Sequence, residues 1–234
     1  KYLKLQFKIK KLKNKTKQIE LSGPYEFKSR NITVAGDPSS ASFFIIGALI
    51  TPNSKIMLKD VMLNPSRIAF LKVLKDMGAK IRVKKTKKIC GEDIGNISVE
   101  YSKLTGVKIS SADSAFLIDE YPILSIAATQ AKGKTIMKGV GELRHKESDR
   151  IKSILYNLQK LGFSVKEKNN NLSIVGKDIK INKNIKIKTF DDHRIAMSFS
   201  ILNVILKNQL KIDNKKCISI SYPDFEKHLN QLLK

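Results

Sequence analysis

Three aspartates each open a long run of residues that is apolar on nearly every side: DPSSASFFIIGALIT from Asp37, DEYPILSIAATQA from Asp119 and DHRIAMSFSILNVIL from Asp192. An extended stretch precedes each run, as ITVAG, AFLI and IKIKTFD. An Asp between extended chain and an apolar run is a natural helix N-cap, because its carboxylate accepts the first unpaired backbone N–H groups. A helix that is apolar all round belongs inside a domain, covered by sheet. Short alternating runs come next, KIMLKDV and TIMKGV in the first two copies and QLKI in the third. Helices of a different kind follow. Residues 66–77 place Ile68, Leu71, Leu74 and Met77 on one stripe, and residues 148–161 do the same with Ile151, Ile154, Leu155, Leu158 and Leu161. Gly78 and Gly162 stand where a C-terminal glycine ends such helices, and the alternating strands AKIRV and FSVKE come after them. The third copy closes on a helix over 223–232.

The recurring unit is strand, buried helix, strand, amphipathic helix, strand, strand, with two full copies and a shorter third. That predicts an α/β fold with internal pseudo-threefold repetition, its buried helices covered by sheets. Three unrelated βα units of an open sheet are the plainer alternative. The predicted domain spans 34–234, with repeats at about 34–110, 111–183 and 184–234, and residues 1–33 lie outside it. Those first residues alternate at once, Leu3, Leu5, Phe7 and Ile9 against Lys4, Gln6, Lys8 and Lys10, which predicts a strand. With no Met and no preamble, the chain is expected to be a piece of a longer one.

Composition changes this picture little. A hydrophobic fraction of 41% argues for a packed core, and the net charge of +24 comes mostly from dispersed Lys, clustered modestly at 8–17, 84–88 and 180–188. An RNA- or DNA-binding module would bring Arg, exposed aromatics or a known recognition motif, and none is present, so no nucleic-acid partner is expected. The excess charge suits anionic small molecules instead. Cys90 and Cys217 lie far apart with no partnering His spacing, which fits a reducing cytoplasm. The sequence has no apolar run of membrane-spanning length and no signal-peptide pattern, so no membrane partner is expected.

Charged residues gather at helix starts: Asp119 and Glu120; Arg144, His145, Lys146, Glu147 and Arg150; Asp192, His193 and Arg194. A cation at a helix N-terminus opposes the dipole unless an anion binds there, so Arg150 and Arg194 are placed for a phosphate and a carboxylate. Asp119 and Glu147 are candidates for proton transfer if the fold brings them together. Taken singly, Asp119 reads as a cap, KESDR as a capping box served by Ser148 or Asp149, His193 as a satisfied polar side chain, and Asp37 as structural.

With these residues in view, the sequence resembles the enolpyruvyl transferase family, in the branch that acts on 3-phosphoshikimate. The resemblance rests on GDPSSASFF (36–44), LIDEYPILSIAATQA (117–131), ELRHKESDRI (142–151), FDDHRIAMSFSI (190–201) and ISYPDFEKHL (220–229). It implies a two-domain enzyme with three folding units per domain, of which this chain carries the C-terminal domain and the tail of the first. The activity implied is transfer of the enolpyruvyl group of phosphoenolpyruvate to the 5-hydroxyl of 3-phosphoshikimate, in the shikimate pathway of aromatic amino-acid biosynthesis. Asp119 is then the proton acceptor and, with Lys146, a contact to 3-phosphoshikimate. Glu147 handles protons at the methylene carbon of phosphoenolpyruvate, Arg150 and Arg194 clamp its phosphate and carboxylate, and His193 stands beside them. The resemblance brings no metal and no cofactor. A cytoplasmic monomer is expected, inactive as residues 1–234 without its N-terminal domain. This chain departs from relatives at two points: Ser219, Ile220, Ser221, Tyr222 and Pro223 lack the Lys that often precedes the last motif, and Glu142 stands where some relatives have an Asn. The nearest rival is the enolpyruvyl transferase acting on UDP-N-acetylglucosamine.

Overall fold

The computed structural model describes residues 5–233 except 14, 15, 25, 27, 180–183 and 208. It begins with an antiparallel hairpin, β1 (Lys8–Lys11) and β2 (Lys17–Glu20). The predicted N-terminal strand therefore starts later than the alternation suggested; Leu3 lies outside the described residues, and Leu5 and Phe7 are not in a strand. Ile9 and Ile19 of this hairpin stay exposed.

Asp37 opens α1 (Pro38–Ile50), its carboxylate accepting from the backbone N–H of Ser40 at 2.8 Å. Next come β3 (Lys55–Met62), α2 (Ala69–Asp76), β4 (Lys80–Ile89) and β5 (Glu92–Glu100). The second copy contains β6 (Lys108–Ile109), α3 (Ser114–Leu117), α4 (Tyr121–Thr129), β7 (Lys134–Met137), α5 (Arg150–Lys160), β8 (Ser164–Lys168) and β9 (Asn171–Val175). The third has β10 (Ile185–Ile187), α6 (His193–Ile205), β11 (Leu210–Ile212) and α7 (Phe225–Leu232). Gly78 and Gly162 follow α2 and α5 with φ of 93° and 85°, the left-handed stop their positions predicted.

Pairing repeats with the sequence. A parallel link flanks each buried helix: a bridge from Gly36 to Val61 around α1, β6 to β7 around α4, and β10 to β11 around α6. An antiparallel hairpin then completes the first two sheets, in the orders β3-β5-β4 and β6-β7-β9-β8. The fold is α/β with the predicted pseudo-threefold repetition. Two of the expected extended stretches are altered. ITVAG contributes only the Gly36 bridge, made so close that a side chain there would meet the Asp60 carbonyl at 3.1 Å. AFLI is helical, as α3, because Ser110 caps the turn before it and Ser114 ties it to the Gly139 carbonyl at 2.8 Å.

The three all-apolar helices α1, α4 and α6 pack on one another at the centre. Ile123, Leu124 and Ile126 of α4 are each at most 1% exposed. Isoleucine forms helix less readily than Ala by a few tenths of a kcal/mol, whereas burying such a side chain stabilises by about 1.5–3 kcal/mol, so burial decides the conformation. Phe225 of α7 closes the core against Phe43 and Phe44, ring centroids 6.0 and 5.5 Å away.

Candidate active site

The starts of α4, α5 and α6 converge, and they carry the motifs. Asp119 lies in the turn between α3 and α4 and does not cap a helix. The cap position of α4 falls to Glu120, without a side-chain cap bond. The Asp119 carboxylate turns toward cations instead: Arg150 Nη1 at 3.2 Å, Lys146 Nζ at 3.7 Å and Arg194 Nη2 at 3.9 Å. Charged donors outcompete neutral N–H groups for a carboxylate, which is why the predicted cap gave way. Burial pushes the Asp119 carboxyl up, but Arg194, Lys146 and Arg150 more than offset it, so its pKa sits below the ordinary value. At neutral pH the group is a carboxylate.

Lys146 follows a short 3-10 turn (Gly141–His145), and Asp149 then caps α5 by accepting from the N–H of Lys152 at 3.0 Å. Arg150 occupies the first residue of α5 and is completely buried. Its Nη2 donates to Glu147 Oε2 at 2.5 Å, and its Nε to Asp192 Oδ2 at 2.8 Å. Arg150 thus stands at a helix start, and the anions beside it in this structure are protein carboxylates.

Asp192 does two jobs at once. Its Oδ1 caps α6, accepting from the N–H groups of Arg194 at 2.9 Å and Ile195 at 3.4 Å, as its position predicted. Its Oδ2 takes Arg150 Nε and the Ser148 hydroxyl, the latter at 3.1 Å. Like Arg150 it has no exposure. The second role was missed in the sequence because it depends on a contact 42 residues away; the adjoining His193 and Arg194 were the available signal. Two consecutive left-handed residues, Phe190 and Asp191 (φ 54° and 57°), aim this segment. The Phe190 ring is held edge-on by Tyr156 at 5.8 Å, and the Asp191 carboxylate by Asn214 Nδ2 at 2.7 Å.

Arg194 also donates from Nη1 to the Asp119 carbonyl at 3.0 Å, locking the α4 and α6 starts together. His193 is 9% exposed; burial lowers its pKa, Asp192 opposing and Arg194 reinforcing, so the imidazole is neutral at pH 7. Glu147 is exposed apart from its bond to Arg150, and Glu142 is exposed on the 3-10 turn. Near the C-terminus, Ser219 and Ile220 lie at the end of another 3-10 turn (Lys216–Ile220), and the Tyr222 hydroxyl pairs with His228 Nδ1 at 2.9 Å. The structure thus assembles Asp119, Lys146, Glu147, Arg150, His193 and Arg194 at one place, with Asp192 beneath them.

A model of the family described as EPSP synthase (3-phosphoshikimate 1-carboxyvinyltransferase) matches residues 3–229. The chain belongs to the EPSP synthase family. It is 48% identical over 196 residues to the 3-phosphoshikimate 1-carboxyvinyltransferase of Petrotoga mobilis, covering 84% of this chain and 45% of that protein. It is 42% identical to the enzyme of the same name from Persephonella marina, covering 92% and 50%. The solved EPSP synthase of Acinetobacter baumannii superimposes with a TM-score of 0.86 at 32% identity, over 99% of this chain and 52% of that one. The enolpyruvyl transferase NikO of Streptomyces tendae shares the fold, with a TM-score of 0.68 at 16% identity. The chain spans about half the length of the curated relatives it matches.

Proposed function

We propose that the whole protein transfers the enolpyruvyl group of phosphoenolpyruvate to the 5-hydroxyl of 3-phosphoshikimate, and that residues 1–234 supply its proton acceptor and anion clamp. The observation that carries this is the convergence of Lys146, Arg150 and Arg194, from two separate helix starts, on the single carboxylate of Asp119. In this scheme Asp119 takes the proton of the 5-hydroxyl as that oxygen bonds to C2 of phosphoenolpyruvate, while Glu147 protonates C3. In the second step the C2–O bond to phosphate breaks and C3 returns a proton, restoring the double bond.

Both substrates are anions, and the cations that would receive them are here paired with Asp119 and Glu147. Arg150 has its Nε, and Nη2 more loosely at 3.5 Å, committed to Asp192 deep in the protein, while Nη1 and Nη2 also reach the replaceable partners Asp119 and Glu147. Substrate phosphate and carboxylate take over those donors, which frees Asp119 for proton transfer. Neutral His193 serves as a hydrogen-bonding group at the same edge. Lys146 joins Asp119 on the 3-phosphoshikimate side.

The missing half supplies the opposite wall of the cleft, and residues 1–33 belong with it rather than with the domain at 34–234. The exposed Ile9, Ile19, Leu21 and Ile32 support that assignment, since their apolar surface finds no cover among the described residues. We further propose that the whole chain is a cytoplasmic monomer; its elution volume tests the oligomeric part. The family names of the relatives favour 3-phosphoshikimate over a UDP-linked aminosugar. Phosphate release by the full-length chain with phosphoenolpyruvate tests the proposal: release requires 3-phosphoshikimate, UDP-N-acetylglucosamine does not replace it, and residues 1–234 alone release none. Release only with the UDP-sugar would refute it.

A further inference from the structure

Glu120 is a buried carboxyl that the scheme above leaves unused. It is 4% exposed and sits next in sequence to the acceptor Asp119. Its Oε1 accepts from the hydroxyl of Ser39, 81 residues away in the first turn of α1, at 2.5 Å. Ser39 is itself 2% exposed and accepts from Arg67 Nη2 at 3.1 Å, and the same Arg67 nitrogen pairs with the α1 cap Asp37 at 2.9 Å. On the other side, Arg194 grips the Asp119 carbonyl at 3.0 Å. The peptide joining Asp119 to Glu120 is therefore clamped from α6 on one flank and from α1 on the other. A recess of about 260 Å³, lined by Arg67, Phe116, Ile118, Asp119 and Glu120, opens beside it.

We propose that Glu120 is the positioning residue for the proton acceptor: its tie to Ser39 fixes the corner between α3 and α4 so that the Asp119 carboxylate points into the cluster of Lys146, Arg150 and Arg194. The inference rests on the function proposed above for the meaning of Asp119, but the geometry stands apart from it. α4 has no capping side chain, so its start is held by this long-range tie instead. The charged groups facing Glu120 are Asp119 on its own turn, Arg194 on α6 and Arg67 beside α2. Burial raises the Glu120 pKa, against the Ser39 bond and Arg194, with Asp119 pushing the same way as burial. Asp119 and Glu120 are thus separated in acidity by their surroundings, one held ionised and the other inclined to keep its proton.

The test uses the full-length chain and three variants, Glu120→Gln, Glu120→Ala and Ser39→Ala, with two readouts. One is phosphate release over a range of pH; the other is the carboxyl carbon NMR titration of Asp119, which needs no turnover. Gln keeps an oxygen for Ser39, so it retains turnover and leaves the Asp119 midpoint low. Ala releases the corner: kcat falls about tenfold to a hundredfold, as displacements near 1 Å do, KM changes little, and the Asp119 midpoint climbs toward the ordinary 3.8. Ser39→Ala gives a smaller change of the same kind, and carries the test if Glu120→Ala fails to fold. The proposal is overturned if Glu120→Ala and Ser39→Ala match wild type in both readouts, or if Gln loses as much as Ala. Should the wild-type chain ignore 3-phosphoshikimate, the assigned reaction fails, while the Asp119 titration still decides the role of Glu120.

Discussion

Replacing Arg150 with Met removes a guanidinium that is wholly buried and leaves the equally buried Asp192 without its charged partner. Met fills much of the same channel, so the cost is electrostatic rather than a cavity. Breaking a buried pair from one side costs about 3–5 kcal/mol, because the remaining charge is desolvated and uncompensated. Asp192 keeps its bonds from Ser148 and from the N–H groups of Arg194 and Ile195, which places the expected loss near the lower end, at about 3 kcal/mol. In a chain of this length that lowers Tm by roughly 6–12 °C. Urea denaturation of wild type and Arg150→Met at pH 7 measures the loss. Asp192→Asn costs less, because Arg150 retains Glu147 and Asp119. A loss under about 1 kcal/mol would refute the view that this pair holds the α5 and α6 starts together.

Three further outcomes are expected. Glu120 has a raised pKa, so its contribution to stability is complete below the ordinary 4.5 and is lost as pH rises through the folded value; Glu120→Gln therefore melts higher than wild type at pH 7, and equal melting curves at pH 7 and pH 4 would count against this. His193 has a lowered pKa, so the stability it lends is present above 6.5 and lost as pH falls through the folded value; His193→Gln flattens the pH dependence of Tm between about pH 7 and pH 5, and an unchanged slope would exclude the effect. Asp37→Ala removes the cap of α1 and should cost about 1 kcal/mol in urea denaturation, whereas no loss would mean that Ser40 and Arg67 find other partners.

Local signals were legible in the sequence and long-range ones were not. The caps Asp37 and Asp192, the glycine stops at Gly78 and Gly162, and the all-apolar helices α1, α4 and α6 depend on neighbours within a turn or two, and each was predicted. The three-unit repeat followed from the same patterns. Errors fell where distant groups intervene. Asp119 reads as a cap until cations from two other helix starts are placed beside it. AFLI, apolar and short, carries no periodicity that separates strand from helix, and a serine tie to Gly139 settles it. The Asp192 to Arg150 and Ser39 to Glu120 bonds span 42 and 81 residues, beyond any window in which spacing carries information.

The most direct test of the central claim is turnover by the full-length chain carrying Asp119→Asn, with substrate binding measured alongside phosphate release. Asn keeps the size of the side chain but cannot accept the 5-hydroxyl proton, so the account predicts that kcat falls by about 10²–10⁴-fold while 3-phosphoshikimate still binds. Turnover within a few-fold of wild type would show that the carboxylate gathered by Lys146, Arg150 and Arg194 is not the proton acceptor.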